Sequence, residues 1–162
     1  MKQSHEYYLE RCIEVSKHSR EAGNTPFGAL LVDAEGNILM EQENVEISTH
    51  KATGHAETQL IERASMEYSK EFLWNCTLYT TAEPCAMCAG AMYWANIGTV
   101  VYAMTEKDLL ALTGSDEQNP IFHAVKYLHA DRKILLLSDL SQSWHRRQQK
   151  FIRVTGTTKQ QK

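Results

Sequence analysis

Apolar positions at Tyr8, Cys12 and Val15, with Leu9 and Ile13 beside them, recur three and four residues apart and predict a helix over residues 4–21. Gly23-Asn24 and then Pro26 end it. Phe27 to Val32 is a compact apolar run, Asp33-Ala34-Glu35-Gly36-Asn37 is turn material, and Ile38 to Met40 resumes an extended pattern, so this stretch reads as a hairpin. The polar stretch 44–54 reads as a loop. From His55, the positions Ala56, Leu60, Ile61 and Ala64 mark a second helix, and Thr77 to Thr81 a third strand. Pro84 is expected in the first turn of a third helix running through Trp94. Its segment Ala86-Met87-Cys88-Ala89-Gly90-Ala91-Met92 is apolar all round, the pattern of a buried helix. Asn96 and Gly98 stop that helix, and Thr99 to Ala103 is a fourth strand. Further on come a short helix over 105–112, a polar loop over 113–120, a helical stretch over 121–129 and a fifth strand from Ile134 to Leu137. Ser141 caps a last helix over 141–154 whose stripe is Trp144, Gln148, Phe151 and Ile152. Strands separated by helices imply a largely parallel sheet covered on both faces, with one antiparallel hairpin. The expected fold class is α/β: a three-layer α/β/α domain over residues 1–156 with a five-stranded mixed sheet, followed by a disordered tail over 157–162.

Composition narrows the class without naming a function. With 162 residues, 43% hydrophobic and 23% charged, the chain suits one soluble domain. Eight Gly and three Pro exclude collagen-like and low-complexity chains. No run of about 18 apolar residues appears, so no membrane partner is expected. The start Met1-Lys2-Gln3-Ser4-His5-Glu6 lacks a secretory pattern, and the expected location is cytoplasmic. A net charge of −3 does not favour a nucleic-acid binder.

Four cysteines change the picture. Cys12 and Cys76 read as small buried side chains, whereas Cys85 and Cys88 form a Cys-x-x-Cys pair suited to metal or redox chemistry. A catalytic zinc site needs three protein ligands and an open position, and His55, Cys85 and Cys88 supply three of the right type. Pro84 puts both cysteines in the first turn of the third helix, where, three residues apart, they share a face, and the positive end of the helix dipole favours thiolate. Glu57 follows His55 by two residues and suits proton transfer beside a metal-activated water. Such a site is suited to hydrolysis, for example of a C–NH2 group on an aromatic ring with release of ammonia. The competing readings, a structural zinc knuckle or a redox pair, lack a convincing fourth ligand (His50 is the only nearby candidate) or leave His55 and Glu57 unexplained.

His55-Ala56-Glu57 followed by Pro84-Cys85-Ala86-Met87-Cys88 resembles the zinc-dependent cytidine/deoxycytidylate-type nucleobase deaminase superfamily. The resemblance is good over residues 5–105 and implies a cytidine-deaminase-like domain, a Zn2+ cofactor held by His55, Cys85 and Cys88, and Glu57 as the acid/base. It further implies that Asn24-Thr25-Pro26-Phe27-Gly28-Ala29 walls the base pocket, with Phe27 and Ala56 lining it, and that Asn44 hydrogen-bonds the base. Glu83-Pro84-Cys85 resembles the purine-acting branches, where yeast-type cytosine deaminases usually carry Ser in place of Glu83, which makes Glu83 a candidate substrate contact. Ala89-Gly90-Ala91-Met92 resembles both guanine deaminases and bacterial tRNA adenosine deaminases, and Tyr93-Trp94-Ala95 looks more like the former. Guanine deaminases bind ring N–H groups with a C-terminal acid, a role for which Asp116 and Glu117 are candidates. Their C-terminal segment lids a partner's pocket, which makes Trp144 a candidate substrate contact and a homodimer the expected assembly. The segment Leu112-Thr113-Gly114-Ser115 departs from the guanine deaminase pattern, which leaves a related aminopurine, guanosine or a triazine open. The expected partner is thus a small purine or related heterocycle. The alternative is tRNA, favoured by Arg146, Arg147, Lys150, Arg153, Lys159 and Lys162 in an acid-free C-terminal stretch.

Overall fold

A computed structural model of the chain describes residues 2–113 and 133–136. The expected helix over 121–129, the C-terminal helix and tail, Asp116, Glu117 and Trp144 lie outside the described residues. Helix α1 (His5–Glu21) starts where the Ser4 hydroxyl accepts the Tyr7 N–H, and it buries Tyr8, Leu9, Cys12 and Val15 along one stripe. Strands β1 (Gly28–Val32) and β2 (Ile38–Glu43) form the predicted hairpin. Asp33 Oδ1 accepts the Glu35 and Asn37 N–H groups in its turn, where Gly36 takes φ 94°. Helices α2 (Glu46–Thr49), α3 (Ala56–Glu67) and α4 (Lys70–Trp74) precede β3 (Thr77–Thr80). Helix α5 (Ala86–Ala95), β4 (Thr99–Tyr102), α6 (Glu106–Thr113) and β5 (Lys133–Leu136) complete the order.

The strands lie in the order β2-β1-β3-β4-β5. Pairs β3–β4 and β4–β5 are parallel, as expected for helix-connected strands. The pair β1–β3 is antiparallel, so the expectation of a single antiparallel hairpin in a parallel sheet is corrected. The reason is topological. The crossover from β2 through α3 returns a strand parallel to β2, but it lands beyond β1, and β1 runs opposite to both. Two further corrections are local. The expected loop over 44–54 contains the one-turn helix α2, and α4 occupies a stretch for which no element was expected. The Ser69 hydroxyl, which accepts the Phe72 N–H, was the available signal for α4.

Side-chain alternation divides the sheet into two faces. Leu30, Val32, Tyr79, Val101 and Ala103 pack on Tyr8, Leu9, Cys12 and Val15 of α1. Ala29, Leu31, Leu78, Val100 and Tyr102 face α3 and α5, through Ala56, Leu60, Ile61, Ala64, Cys88, Ala89 and Met92. This is the expected α/β/α layering, and each fully buried large apolar side chain contributes ~1.5–3 kcal/mol. Cys12 and Cys76 are both buried and serve this core, as expected.

One close approach fixes how α4 meets the end of α5. A Cβ added at Gly98 would lie 1.7 Å from the Trp74 carbonyl oxygen, a backbone atom that cannot swing aside. Gly98→Ala is therefore expected to destabilise the protein by ~3 kcal/mol, the upper end of the usual overpacking cost. Its denaturation midpoint in urea checks this, with Gly90→Ala as the control. Gly90 lies in α5 with nothing within 4 Å of an added Cβ, and its replacement should be neutral or mildly stabilising.

Candidate active site

Two helix N-termini meet on the α3–α5 side of the sheet. His55 is the N-cap residue of α3 and Cys85 that of α5, and neither side chain caps its own helix. An N-cap side chain normally satisfies a free N–H of the first turn. Here the imidazole and the thiol are turned to each other instead. The expectation that Pro84 and Cys85 sit within the first turn is corrected by one step, while Cys88 is in that turn as expected. Pro84 precedes the cap, Cys85 is the cap, and Cys88 is the third helical residue. Packing of Ala56 and Leu60 against Cys88, Ala89 and Met92 brings the two helix starts together.

The resulting triangle is tight. His55 Nδ1 lies 3.5 Å from Cys85 Sγ and 3.6 Å from Cys88 Sγ, and the two sulfurs are 3.6 Å apart. Among the described residues, these three are the one group of three or more potential ligands whose donor atoms gather within 4.8 Å. A tetrahedral zinc ion with ordinary Zn–S and Zn–N lengths separates two sulfurs by about 3.8 Å and sulfur from nitrogen by about 3.6 Å. The triangle thus has the shape and the donor set of three zinc ligands, and among the described residues no fourth donor joins it.

Glu57 stands at the Cys88 corner of the triangle. Its carboxylate is buried, with Oε1 accepting the Thr80 hydroxyl at 2.7 Å and Oε2 3.6 Å from Cys88 Sγ. Thr80 on β3 thereby anchors one oxygen and leaves the other facing Cys88 Sγ. Thr58 Oγ1 sits 3.2 Å from Cys88 Sγ. In the metal-free protein, burial raises the Glu57 pKa above the usual carboxylate range, and the Thr80 bond partly offsets this. Cys85 is pushed down, chiefly by the Cys88 S–H, against the opposing effect of burial and with help from His55. Cys88 is pushed up, because the Cys85 sulfur holds its proton and burial disfavours a second charge. The Cys85 sulfur in turn raises His55.

The family model for the cytidine and deoxycytidylate deaminase zinc-binding region matches residues 2–104. The chain belongs to this zinc-binding deaminase family. The relatives of this deaminase span several substrates. A probable cytosine deaminase of Schizosaccharomyces pombe is 35% identical over 113 residues, which is 70% of this chain and 68% of that one. Guanine deaminase of Bacillus subtilis is 38% identical over 106 residues, 65% of this chain and 67% of that one. An X-ray structure of guanine deaminase from Bacillus subtilis superposes with a TM-score of 0.63 at 37% identity, covering 72% of this chain and 73% of that chain. A tRNA-specific adenosine deaminase of Aquifex aeolicus is 33% identical over 102 residues, 63% of this chain and 67% of that one. The family assignment bears out the resemblance read from the two motifs, and with it an α/β deaminase fold and zinc as the family's metal.

The residues expected on the substrate side are placed less uniformly. Ala56 is the fully buried first residue of α3. Phe27 and Asn44 are joined through their main chains, since the Asn44 N–H donates to the Phe27 carbonyl at 3.0 Å. Asn44 is buried, and its Oδ1 accepts the Glu46 N–H, which directs the amide Nδ2 donor away from that bond. The Glu83 Oε2 accepts the Glu106 N–H at the start of α6. Three polar residues near the triangle escaped the sequence reading. Thr80 and Thr58 look like ordinary strand and helix threonines, and Glu46 lay in a stretch read as loop. Glu46 Oε2 is 3.8 Å from His55 Nε2. No helix among the described residues is long and apolar enough to cross a membrane.

Proposed function

We propose that the protein is a zinc-dependent hydrolytic deaminase that converts a ring C–NH2 group of a purine base or related small heterocycle to the carbonyl, releasing ammonia, with a guanine-like substrate favoured. The observation that carries this reading is the His55, Cys85 and Cys88 triangle with the buried Glu57 carboxylate at its Cys88 corner. In this proposal His55 Nδ1 and the two sulfurs hold the metal. Bound zinc supplies Lewis acidity that makes water available as a nucleophile at neutral pH. Glu57 takes up the water proton at Oε2 and delivers it to the heterocycle and the departing amine, while Thr80 holds Oε1. Asn44 offers its Nδ2 donor to a polar ring edge, and Phe27 and Ala56 supply apolar wall. Asp116 is assigned to the ring N–H groups, Glu83 to the rim of the pocket, and Trp144 to its cover.

A guanine-like ring is supported by Glu83-Pro84-Cys85, by Tyr93-Trp94-Ala95 and by the 38% identity to a guanine deaminase. A homodimer belongs to the same proposal. Trp94, 73% exposed at the end of an apolar helix, is a surface suited to a second copy. The second reading, adenosine deamination in tRNA, is favoured by the relative of Aquifex aeolicus and the six basic residues between 146 and 162. Ammonia release from zinc-loaded protein, measured over guanine, guanosine, isoguanine, adenine, cytosine, cytidine, ammeline and a tRNA anticodon stem-loop, tests both. Turnover is expected on a free aminopurine, with little dependence on salt. Turnover confined to the stem-loop, weakening steeply with salt, would replace the first reading by the second. Turnover of cytosine alone would remove the purine assignment.

A further inference from the structure

We propose that Glu46 is a positioning residue for the metal centre, holding the His55 ring by its Nε2–H so that Nδ1 stays aimed at the ion. The inference rests on the metal-site reading above and extends it to a residue outside the ligand triangle.

The ring itself dictates the need. Nδ1 is the nitrogen facing both sulfurs, so a metal-bound His55 carries its remaining proton on Nε2. A ligating imidazole usually donates that second N–H to a carboxylate, carbonyl or water, which fixes the ring's orientation. Glu46 Oε2, 3.8 Å from Nε2, is the one carboxylate in ion-pair range of this ring among the described residues. Metal binding at Nδ1 polarises the ring and makes Nε2–H a stronger donor, which favours closing that gap to a hydrogen bond.

The main chain is built to hold Glu46 there. Its N–H donates to Asn44 Oδ1 at 2.9 Å, and its carbonyl accepts the Lys51 N–H at 3.1 Å. The neighbouring Val45 N–H donates to the Gly54 carbonyl at 2.8 Å. Gly54, immediately before His55, has no room for a side chain: an added Cβ would lie 2.6 Å from the Glu46 Cα. Asn24 grips the other end of α2, accepting the Ser48 N–H at 2.9 Å and donating to its hydroxyl at 3.0 Å. The side chain of Glu46 takes no part in this clasp and is two-fifths exposed, so it can be exchanged without undoing the backbone.

The test compares wild type, Glu46→Ala and Glu46→Gln by competition for zinc with a chromophoric chelator, alongside melting of the metal-free proteins. Glu46→Ala is expected to bind zinc ~10- to 100-fold more weakly. Glu46→Gln should lose less, because its amide oxygen still accepts the Nε2–H. All three metal-free proteins should melt together. Wild-type affinity in Glu46→Ala would overturn the proposal, as would a metal-free melting temperature that falls in step with affinity, since that marks a scaffold role. Cys85→Ala run in parallel separates the two layers. Zinc retained by that variant would overturn the ligand assignment itself, and with it the role of Glu46.

Discussion

Glu57→Gln is expected to lower kcat/KM for ammonia release by ~10^2- to 10^4-fold while leaving one zinc per chain and the fold intact. The substitution preserves shape. The Gln carbonyl still accepts the Thr80 hydroxyl, so the side chain keeps its anchor in the buried site. What it loses is the ability to take up and return a proton. Stability should move the other way. Burial raises the folded-state pKa of Glu57 above its unfolded value, so its ionised form is disfavoured by folding. In the metal-free wild type, that favourable contribution of the protonated acid is fully present below the unfolded pKa and is lost as pH rises toward the folded one. Gln has nothing to ionise, so metal-free Glu57→Gln should melt at or above the wild type at neutral pH, and the difference should vanish in acid. Ammonia release, zinc by elemental analysis and melting curves at two pH values together check this. Undiminished turnover in the variant would take the acid/base role away from Glu57.

Cys85→Ala is expected to abolish stable zinc binding and, with it, turnover. It removes one corner of a triangle whose three sides are all about one ligand–ligand separation long, leaving a thiol and an imidazole. The stability consequence is linkage. A metal present at ~1,000 times its dissociation constant stabilises the folded state by ~4.1 kcal/mol. Zinc-loaded wild type should therefore melt well above Cys85→Ala, and stripping wild type with a chelator should close most of that gap. Cys12→Ala and Cys76→Ala are the controls. Both thiols are buried in the core away from the triangle, so these variants should lose packing energy yet keep full zinc content. A Cys85→Ala protein that retains its metal would contradict the ligand assignment.

Local pattern determined much of this protein. The stripe Tyr8, Leu9, Cys12, Val15 announces α1, the compact apolar run ending at Val32 and the segment Thr77 to Thr81 announce strands, and Asp33 to Asn37 announces the hairpin turn. These signals involve residues a few positions apart, and side-chain periodicity is fixed by backbone geometry alone. The chemistry was legible for a similar reason. His55 with Glu57, and Cys85 with Cys88, are short-range pairs whose residue types admit few uses.

Tertiary structure decided what depends on where the chain returns. The antiparallel β1–β3 pair follows from a crossover that skips one strand, which no window of sequence contains. The shift of Cys85 from first turn to N-cap lets its sulfur face His55 rather than its own helix. The Glu83 carboxylate accepts the Glu106 N–H, a contact that forms because β3 and β4 end side by side. Thr80 and Glu46 carry no motif at all, and they matter only because folding sets Thr80 against Glu57 and Glu46 against His55. Short-range covalent geometry therefore specified the elements and the reactive residue types. The long-range packing of α3 on α5 and on the sheet specified which oxygens, sulfurs and nitrogens come within reach of one another.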